Sequence, residues 1–356
     1  MNFDLTEDQR AIRDAFARFV DERVVPQAAA LDEAHAFPRA LFDELGALGF
    51  FGLRYPEEVG GSGLGLAEFA LALEEVARGS MSLAGAAAMQ SLMGTKFLHL
   101  LGNADIVERL FKPALDGRKI GAVCMTEPDA GSDLDSIATT ATQVSGGWRL
   151  AGRKTWITSA PVADFFTVFA RAGDERKLTI FLVERGFPGL AVGRAIHKMG
   201  VWALPTSEVA FDDCVVPESH RLSAVGDGEA QLKKLLAEIR VITGAMALGV
   251  ARAALDEAVR YAAERKQFGK PINRYQAIQF KLARWRPSWT RPRSSCATPP
   301  GCTARAGRTT PRRRWPSCTP PSARRASATR PRACSPATAM RWSTRCNATC
   351  ATCASR

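Results

Sequence analysis

Two stretches between Ala122 and Thr158 carry side chains suited to gripping a flat group with polar edges. The first reads Ala-Val-Cys-Met-Thr-Glu-Pro-Asp-Ala-Gly-Ser-Asp over 122–133. It is a β-like run stopped by Pro128 and a turn of small residues. Gly131 is free to take a positive φ, so successive N–H groups there can converge on an anion or a polar ring edge. The second, 147–158, ends in Lys154-Thr155-Trp156-Ile157-Thr158, an alternating strand whose tryptophan offers a wall and whose threonines offer hydroxyls. Either stretch alone reads equally well as a hairpin with a buried tryptophan. A third stretch, Glu264-Arg265-Lys266-Gln267-Phe268-Gly269-Lys270-Pro271-Ile272, precedes Tyr275-Gln276. Its Arg265 fork matches phosphate oxygens, although by itself it is also an ordinary solvated helix end.

Taken in order, Thr-Glu-Pro-x-Ala-Gly-Ser-Asp, Lys-x-Trp-Ile-Thr and Arg-x-x-Phe-Gly-x-Pro-Ile resemble the signatures of the acyl-CoA dehydrogenase family, over residues 1–283. The resemblance implies FAD as cofactor, an acyl-CoA substrate oxidised to the 2,3-enoyl-CoA, and electrons passed to an electron-transfer flavoprotein. It also implies a homo-oligomer, dimer or tetramer. Val123, Met125 and Thr126 would line the isoalloxazine. Gly131 and Ser132 would lie near the phosphates and the substrate's pantetheine, and Trp156, Ile157 and Thr158 would cover the other side of the ring. Arg265, Lys266, Gln267 and Phe268, with Tyr275 and Gln276, would reach the FAD of a neighbouring subunit. The same fold also carries flavin oxidases and monooxygenases, and an inactive remnant is a further alternative.

The reaction removes an α-proton and a β-hydride together, so it needs a carboxylate base. Most of the family place a Glu after a Gly-Gly-Tyr-Gly segment. A minority place it on a helix just before an arginine that matches Arg240, which is grouped with Ser132 as substrate-binding. Here Ile239 holds that position. Glu238 is one residue off, roughly 100° round a helix, and is the nearest substitute for the catalytic base or else a solvated carboxylate.

These residues need elements to hold them. The expected fold is α+β and acyl-CoA dehydrogenase-like. An N-terminal helical domain (1–118) precedes a central β-barrel or sandwich domain (119–222) and a truncated C-terminal helical bundle (223–283). Helical periodicity covers 5–31, with Thr6 as N-cap, and then 37–48, 67–77, 83–101, 103–115 and 235–265. Strand-like runs at 165–169, 178–183 and 207–211 alternate with Gly- and Pro-marked turns.

The net charge of +12 would suggest a nucleic-acid partner, but its distribution removes that reading. From 284 to 356 there are sixteen arginines and no Asp, Glu or Lys, which leaves −4 on residues 1–283. Seven of the nine cysteines also follow Ala283, and Cys346, Cys350 and Cys353 match no strong zinc spacing, so no metal is expected. The cysteine-poor body fits a reducing, cytoplasmic setting, and neither a secretory leader nor a membrane-length apolar run is read.

Residues 284–356 contain no Leu, Ile, Val or Phe, so composition predicts a disordered segment. A shifted reading frame explains them. Because Trp has one codon, Trp289-Thr290 and Trp315-Pro316 decode in the next frame to Asp and Ala. With free bases chosen, 284–292 yields Met-Ala-Thr-Glu-Leu-Asp-Ala-Ala, which resembles the family's late helices. One lost base near codon 284 suffices. Limited proteolysis is therefore expected to trim the chain back to about Ala283; a resistant, amide-protected tail would contradict this.

Overall fold

The computed structural model describes residues 4–285; of the tail expected at 284–356, residues 284 and 285 continue a helix and the rest lies outside the described residues. The chain begins with α1 (Glu7–Phe19), capped by a reciprocal Thr6–Gln9 box. It continues through a π-helical turn into α2 (Val25–Glu33) and, after a loop, α3 (Arg39–Ala47). Next come α4 (Leu66–Gly79), α5 (Met81–Ala88) and α6 (Lys96–Leu101), with a second π segment at Met89–Gly94 between the last two. The short α7 (Ala104–Ile106) and α8 (Lys112–Leu115) flank a third, Val107–Phe111. The helices expected at 83–101 and 103–115 are thus each divided by wider turns, which apolar periodicity does not reveal.

Seven strands follow. They are β1 (Gly121–Cys124), β2 (Thr140–Val144), β3 (Gly147–Thr158), β4 (Phe165–Ala172), β5 (Lys177–Glu184), β6 (Leu190–Ala195) and β7 (Thr206–Pro217). They form one sheet in the order β1-β4-β2-β3-β7-β6, with β5 on the far edge of β4. β1 and β2 lie end to end along one edge of β4, both parallel to it. Continuous apolar burial of Phe165, Phe166, Val168 and Phe169, and of Ile180 to Val183, marks β4 and β5 as the centre of the core.

A helix of 37 residues, α9 (Gly228–Glu264), then crosses back over the N-terminal helices. A two-stranded hairpin of β8 (Lys266–Gln267) and β9 (Lys270–Pro271) follows it, and residues 276–285 are helical again. Gly249 lets α9 press on α4, because a Cβ there would stand 2.2 Å from the Glu74 carbonyl oxygen. At the same crossing Arg252 pairs with Glu74 at 3.1 Å and with Glu75. No helix among the described residues is long and apolar enough to cross a membrane.

Helices and sheet are joined by polar side chains that answer backbone groups. Gln90 accepts from Gly121 N–H at 3.0 Å and donates to the Ala114 and Lys119 carbonyls. Asp32 Oδ1 accepts from Ser82 and from Ala203 N–H. Nearer the start of α9, both Glu238 oxygens accept from Lys96 Nζ at 2.5 Å and one accepts from Arg54 Nη2 at 2.8 Å. It is half-buried between two cations, not the solvated carboxylate that the sequence offered as one reading.

Burial alone would raise the Glu238 pKa, but the hydrogen bonds and charges of Lys96 and Arg54 outweigh it and hold the carboxyl below its ordinary value. A carboxyl depressed on folding stabilises the fold at neutral pH, and that contribution is lost as pH falls through its folded value. Glu238→Gln should therefore cost about 1–3 kcal/mol at pH 7. The deficit should shrink below the ordinary carboxylate range. Urea unfolding of both proteins between pH 3 and 7 measures it, and a deficit independent of pH would refute the ion-pair account.

Candidate active site

The first two sequence signatures meet in the sheet. Strand β1 is paired to β4 only as far as Cys124 with Val168, and β2 takes up the same edge at Thr140 with Arg171. The 15 residues between them, 125–139, leave the sheet and return. Both ends of this excursion are fixed to Lys154, the first residue of the Lys-x-Trp-Ile-Thr signature.

Lys154 is wholly buried, and its ammonium donates to Met125 O at 3.2 Å, Phe169 O at 2.7 Å and Glu127 Oε1 at 2.8 Å. The Glu127 carboxylate in turn accepts from Ala138 N–H, Thr139 N–H and Thr139 Oγ1 at 2.6–2.9 Å. Burial disfavours both charges. In Glu127 the hydrogen bonds prevail and the pKa is lowered; in Lys154 burial prevails over the pull of Glu127, and its pKa is lowered too. Arg171 adds bonds to the Asp135 and Ile137 carbonyls on the returning limb. Gly152 is required beside it, since a Cβ would sit 2.6 Å from Thr139 Oγ1.

A backbone bond from Thr155 N–H to Thr126 O, 2.9 Å, ties the signatures together directly. The pairing of β3 with β7 slips between Lys154 and Ile157, a bulge that breaks the alternation read from sequence. Lys154 and Thr155 are consecutive buried residues, and Trp156 is turned outward on a left-handed backbone, φ 58°, with 55% of its surface exposed. Trp156 is thus not the buried tryptophan of a hairpin; the β2–β3 hairpin buries Trp148 instead. Val123, Met125, Thr126 and Thr158 are half-exposed and Ile157 is buried. An exposed indole next to a half-open strand end fits a planar ring system with polar edges.

Gly131 does not use the positive φ that its type permits. The turn is closed instead by reciprocal bonds between Glu127 and Ala130, so those two N–H groups are spent within the protein. Gly131 and Ser132 are exposed beyond it. The buried thiols of Cys124 and Cys214 are pushed up by burial to about 12 and about 11, which leaves them inert near neutrality.

The third signature stands apart. Arg265, Lys266, Gln267 and Gln276 are exposed, and Phe268 and Gly269 form the hairpin tip with φ 51° and 77°. Phe268 is 93% exposed. Tyr275 braces the hairpin through its hydroxyl to Gln267 O at 2.8 Å, with Lys270 Nζ over its ring. No hydrogen bond or ring contact among the described residues joins this hairpin to the Met125–Thr158 region. On α9, Arg240 is exposed and Ile239 is packed against the core, while Glu238 is engaged by Lys96 and Arg54. The Lys154–Glu127 pair and the Trp156 bulge went unread in the sequence. A lysine directly before a strand bulge, with a glutamate before Pro128, is the only trace they leave there.

Comparison with known proteins accounts for this arrangement. Residues 6–118, 122–214 and 226–297 match the acyl-CoA dehydrogenase N-terminal, middle and C-terminal domains. Benzylmalonyl-CoA dehydrogenase of Aromatoleum aromaticum is 81% identical over 284 residues, covering 80% of this chain and 75% of that protein. A subunit of the caffeyl-CoA reductase–Etf complex of Acetobacterium woodii is 35% identical over 78% of this chain and 74% of its own length. Among solved structures, butyryl-CoA dehydrogenase of Megasphaera elsdenii superposes with a TM-score of 0.79 at 32% identity, over 83% of this chain and 79% of that one. With its helical N-terminal part, its central sheet and its long C-terminal helix, the chain belongs to the acyl-CoA dehydrogenase family of FAD-dependent oxidoreductases.

Proposed function

We propose that this chain dehydrogenates an aryl-substituted acyl-CoA, with benzylmalonyl-CoA as its first candidate substrate. The 81% identity to benzylmalonyl-CoA dehydrogenase carries this reading. Caffeyl-CoA, named for the second relative, is also the thioester of an aryl-substituted acid. The electron acceptor proposed is an electron-transfer flavoprotein, in keeping with the Etf complex to which that relative belongs. A homo-oligomer, dimer or tetramer, and a cytoplasmic location complete the proposal. So do the three units at 1–118, 119–222 and 223–283.

FAD, when bound, supplies the acceptor for the β-hydride. In this reading Val123, Met125 and Thr126 hold one side of its ring. The Trp156 indole, with Ile157 and Thr158, covers another. Gly131 and Ser132 serve the phosphates and the pantetheine, and Arg240 serves the thioester substrate. The hairpin residues Arg265, Lys266, Gln267 and Phe268, with Tyr275 and Gln276, serve the FAD of a second copy, which suits the exposure of all but the half-buried Tyr275 in a single chain.

Glu238 is assigned to anchoring α9 rather than to catalysis. A carboxylate held down by two cations is a weak base, and at the neighbouring position Ile239 has no group to accept a proton. The segment from Arg284 is read as an out-of-frame product that impairs turnover. In support, the alignment with the 81% identical relative spans 284 residues. Sequencing the gene across codon 284 decides that point.

The activity test is direct. Purified chain is incubated with benzylmalonyl-CoA or butyryl-CoA, with and without an artificial electron acceptor, and product is followed by mass spectrometry. Benzylmalonyl-CoA is expected to be consumed in preference, only with the acceptor present, and faster once the frame is restored at codon 284. A reaction driven by oxygen alone would favour an oxidase of the same fold. Consumption of butyryl-CoA in preference would overturn the aryl assignment.

A further inference from the structure

Lys154 does more than neutralise Glu127. Between Val168 and Arg171 the β4 edge has neither β1 nor β2 beside it. The Phe169 carbonyl falls in that gap, and the lysine supplies the donor that a strand would have given. The ammonium's third bond goes to the Met125 carbonyl. That carbonyl shares its peptide unit with the Thr126 N–H, which donates to none of the described residues. The carbonyl on the other side of Thr126 is already held by Thr155 N–H. The peptide is therefore fixed from both sides with its N–H left over.

We infer that Lys154 is a positioning residue for the flavin: its bond to the Met125 carbonyl fixes and polarises the Met125–Thr126 peptide, so that the Thr126 N–H is presented as a strengthened donor to the ring's polar edge. A charged donor on a carbonyl strengthens the N–H of the same peptide, because hydrogen bonds in a chain polarise one another. The inference rests on FAD lying against Val123–Thr126. It differs from plain ion pairing in one respect. If only charge balance matters, removing both charges is harmless; if the Met125 carbonyl matters, it is not.

The test uses the full chain and two variants. Lys154→Met with Glu127→Gln removes both charges, so no unpaired buried charge is left; the amide oxygen introduced by Glu127→Gln can still accept from Thr139 N–H and Oγ1, while its NH2 replaces the oxygen that accepts from Ala138. Lys154→Arg keeps the charge, but a planar guanidinium cannot serve three divergent acceptors. Thermal unfolding, amide exchange at Thr155 in the apo protein and FAD binding by fluorescence are measured on each.

Both variants are expected to unfold cooperatively. Thr155 should exchange about tenfold faster or more, because its acceptor Thr126 is no longer held. FAD should bind about tenfold more weakly, the usual scale for losing a residue that orients a ligand-contacting group, and the flavin's visible band should lose fine structure. A folded double variant with unchanged Thr155 exchange or unchanged FAD affinity overturns the proposal, as does parent-like behaviour of Lys154→Arg. Accelerated exchange with no FAD binding by the parent chain would show that Lys154 holds the Met125–Thr126 peptide and would overturn its role toward the flavin.

Discussion

A parallel strand pair cannot be opened for 15 residues without leaving carbonyls and N–H groups unmatched, and the burial of this seam keeps water from answering them. One ion pair resolves the problem. Lys154 offers three hydrogens to two carbonyls and a carboxylate, and the carboxylate offers its lone pairs to the two N–H groups and the hydroxyl on the returning limb. A buried pair of charges is often no more stable than hydrocarbons of the same shape. Here hydrocarbons would strand the Phe169 and Met125 carbonyls, so the polar solution is favoured. Everything placed on the excursion, from Met125 to Ser132, takes its position from that pair.

The bulge at Thr155–Trp156 follows from the same constraint. Lys154 must point into the seam and Thr155 N–H must reach Thr126 O, which uses two consecutive residues on the buried side. Strict alternation cannot do this, so the strand inserts a residue and turns Trp156 outward with a positive φ. A large aromatic on a left-handed backbone carries strain of about 1–3 kcal/mol. Its persistence next to an open strand end agrees with a side chain kept for a ligand rather than for the core.

Much of this protein was legible because local chemistry repeats in sequence. The Thr6–Gln9 cap, the apolar spacing in α1 and α4 and the strands β4 and β5 follow from periodicity and end signals. The motifs at 122–133 and 147–158 marked the stretches that the sheet brings together. The sequence could not show how they meet, since Lys154 and Glu127 are 27 residues apart and their pairing depends on β1 and β2 sharing one edge of β4. The π-helical turns escaped for another reason, because i, i+4 and i, i+5 spacings differ too little for an apolar pattern to separate them. Gly131 shows the reverse error. Its type permits a positive φ, but the Glu127–Ala130 bonds close the turn first.

Glu238 illustrates how partners, more than spacing along a helix, decide what a carboxylate can do. Its place one residue from Ile239 invites a catalytic reading. Yet Arg54 and Lys96 come from the N-terminal helical region, and together they give the cluster one positive charge in excess. In half-buried surroundings, moving that carboxylate toward a substrate would leave two cations facing each other. Coulomb repulsion between unit charges about 4 Å apart is on the order of 4 kcal/mol at an effective dielectric near 20. The helix rotation of roughly 100° needed to bring Glu238 to the position of Ile239 would also expose the buried faces of Leu235 and Ile242. Both costs oppose the same movement, and so the residue that looks closest to catalysis is among the least free to take part in it.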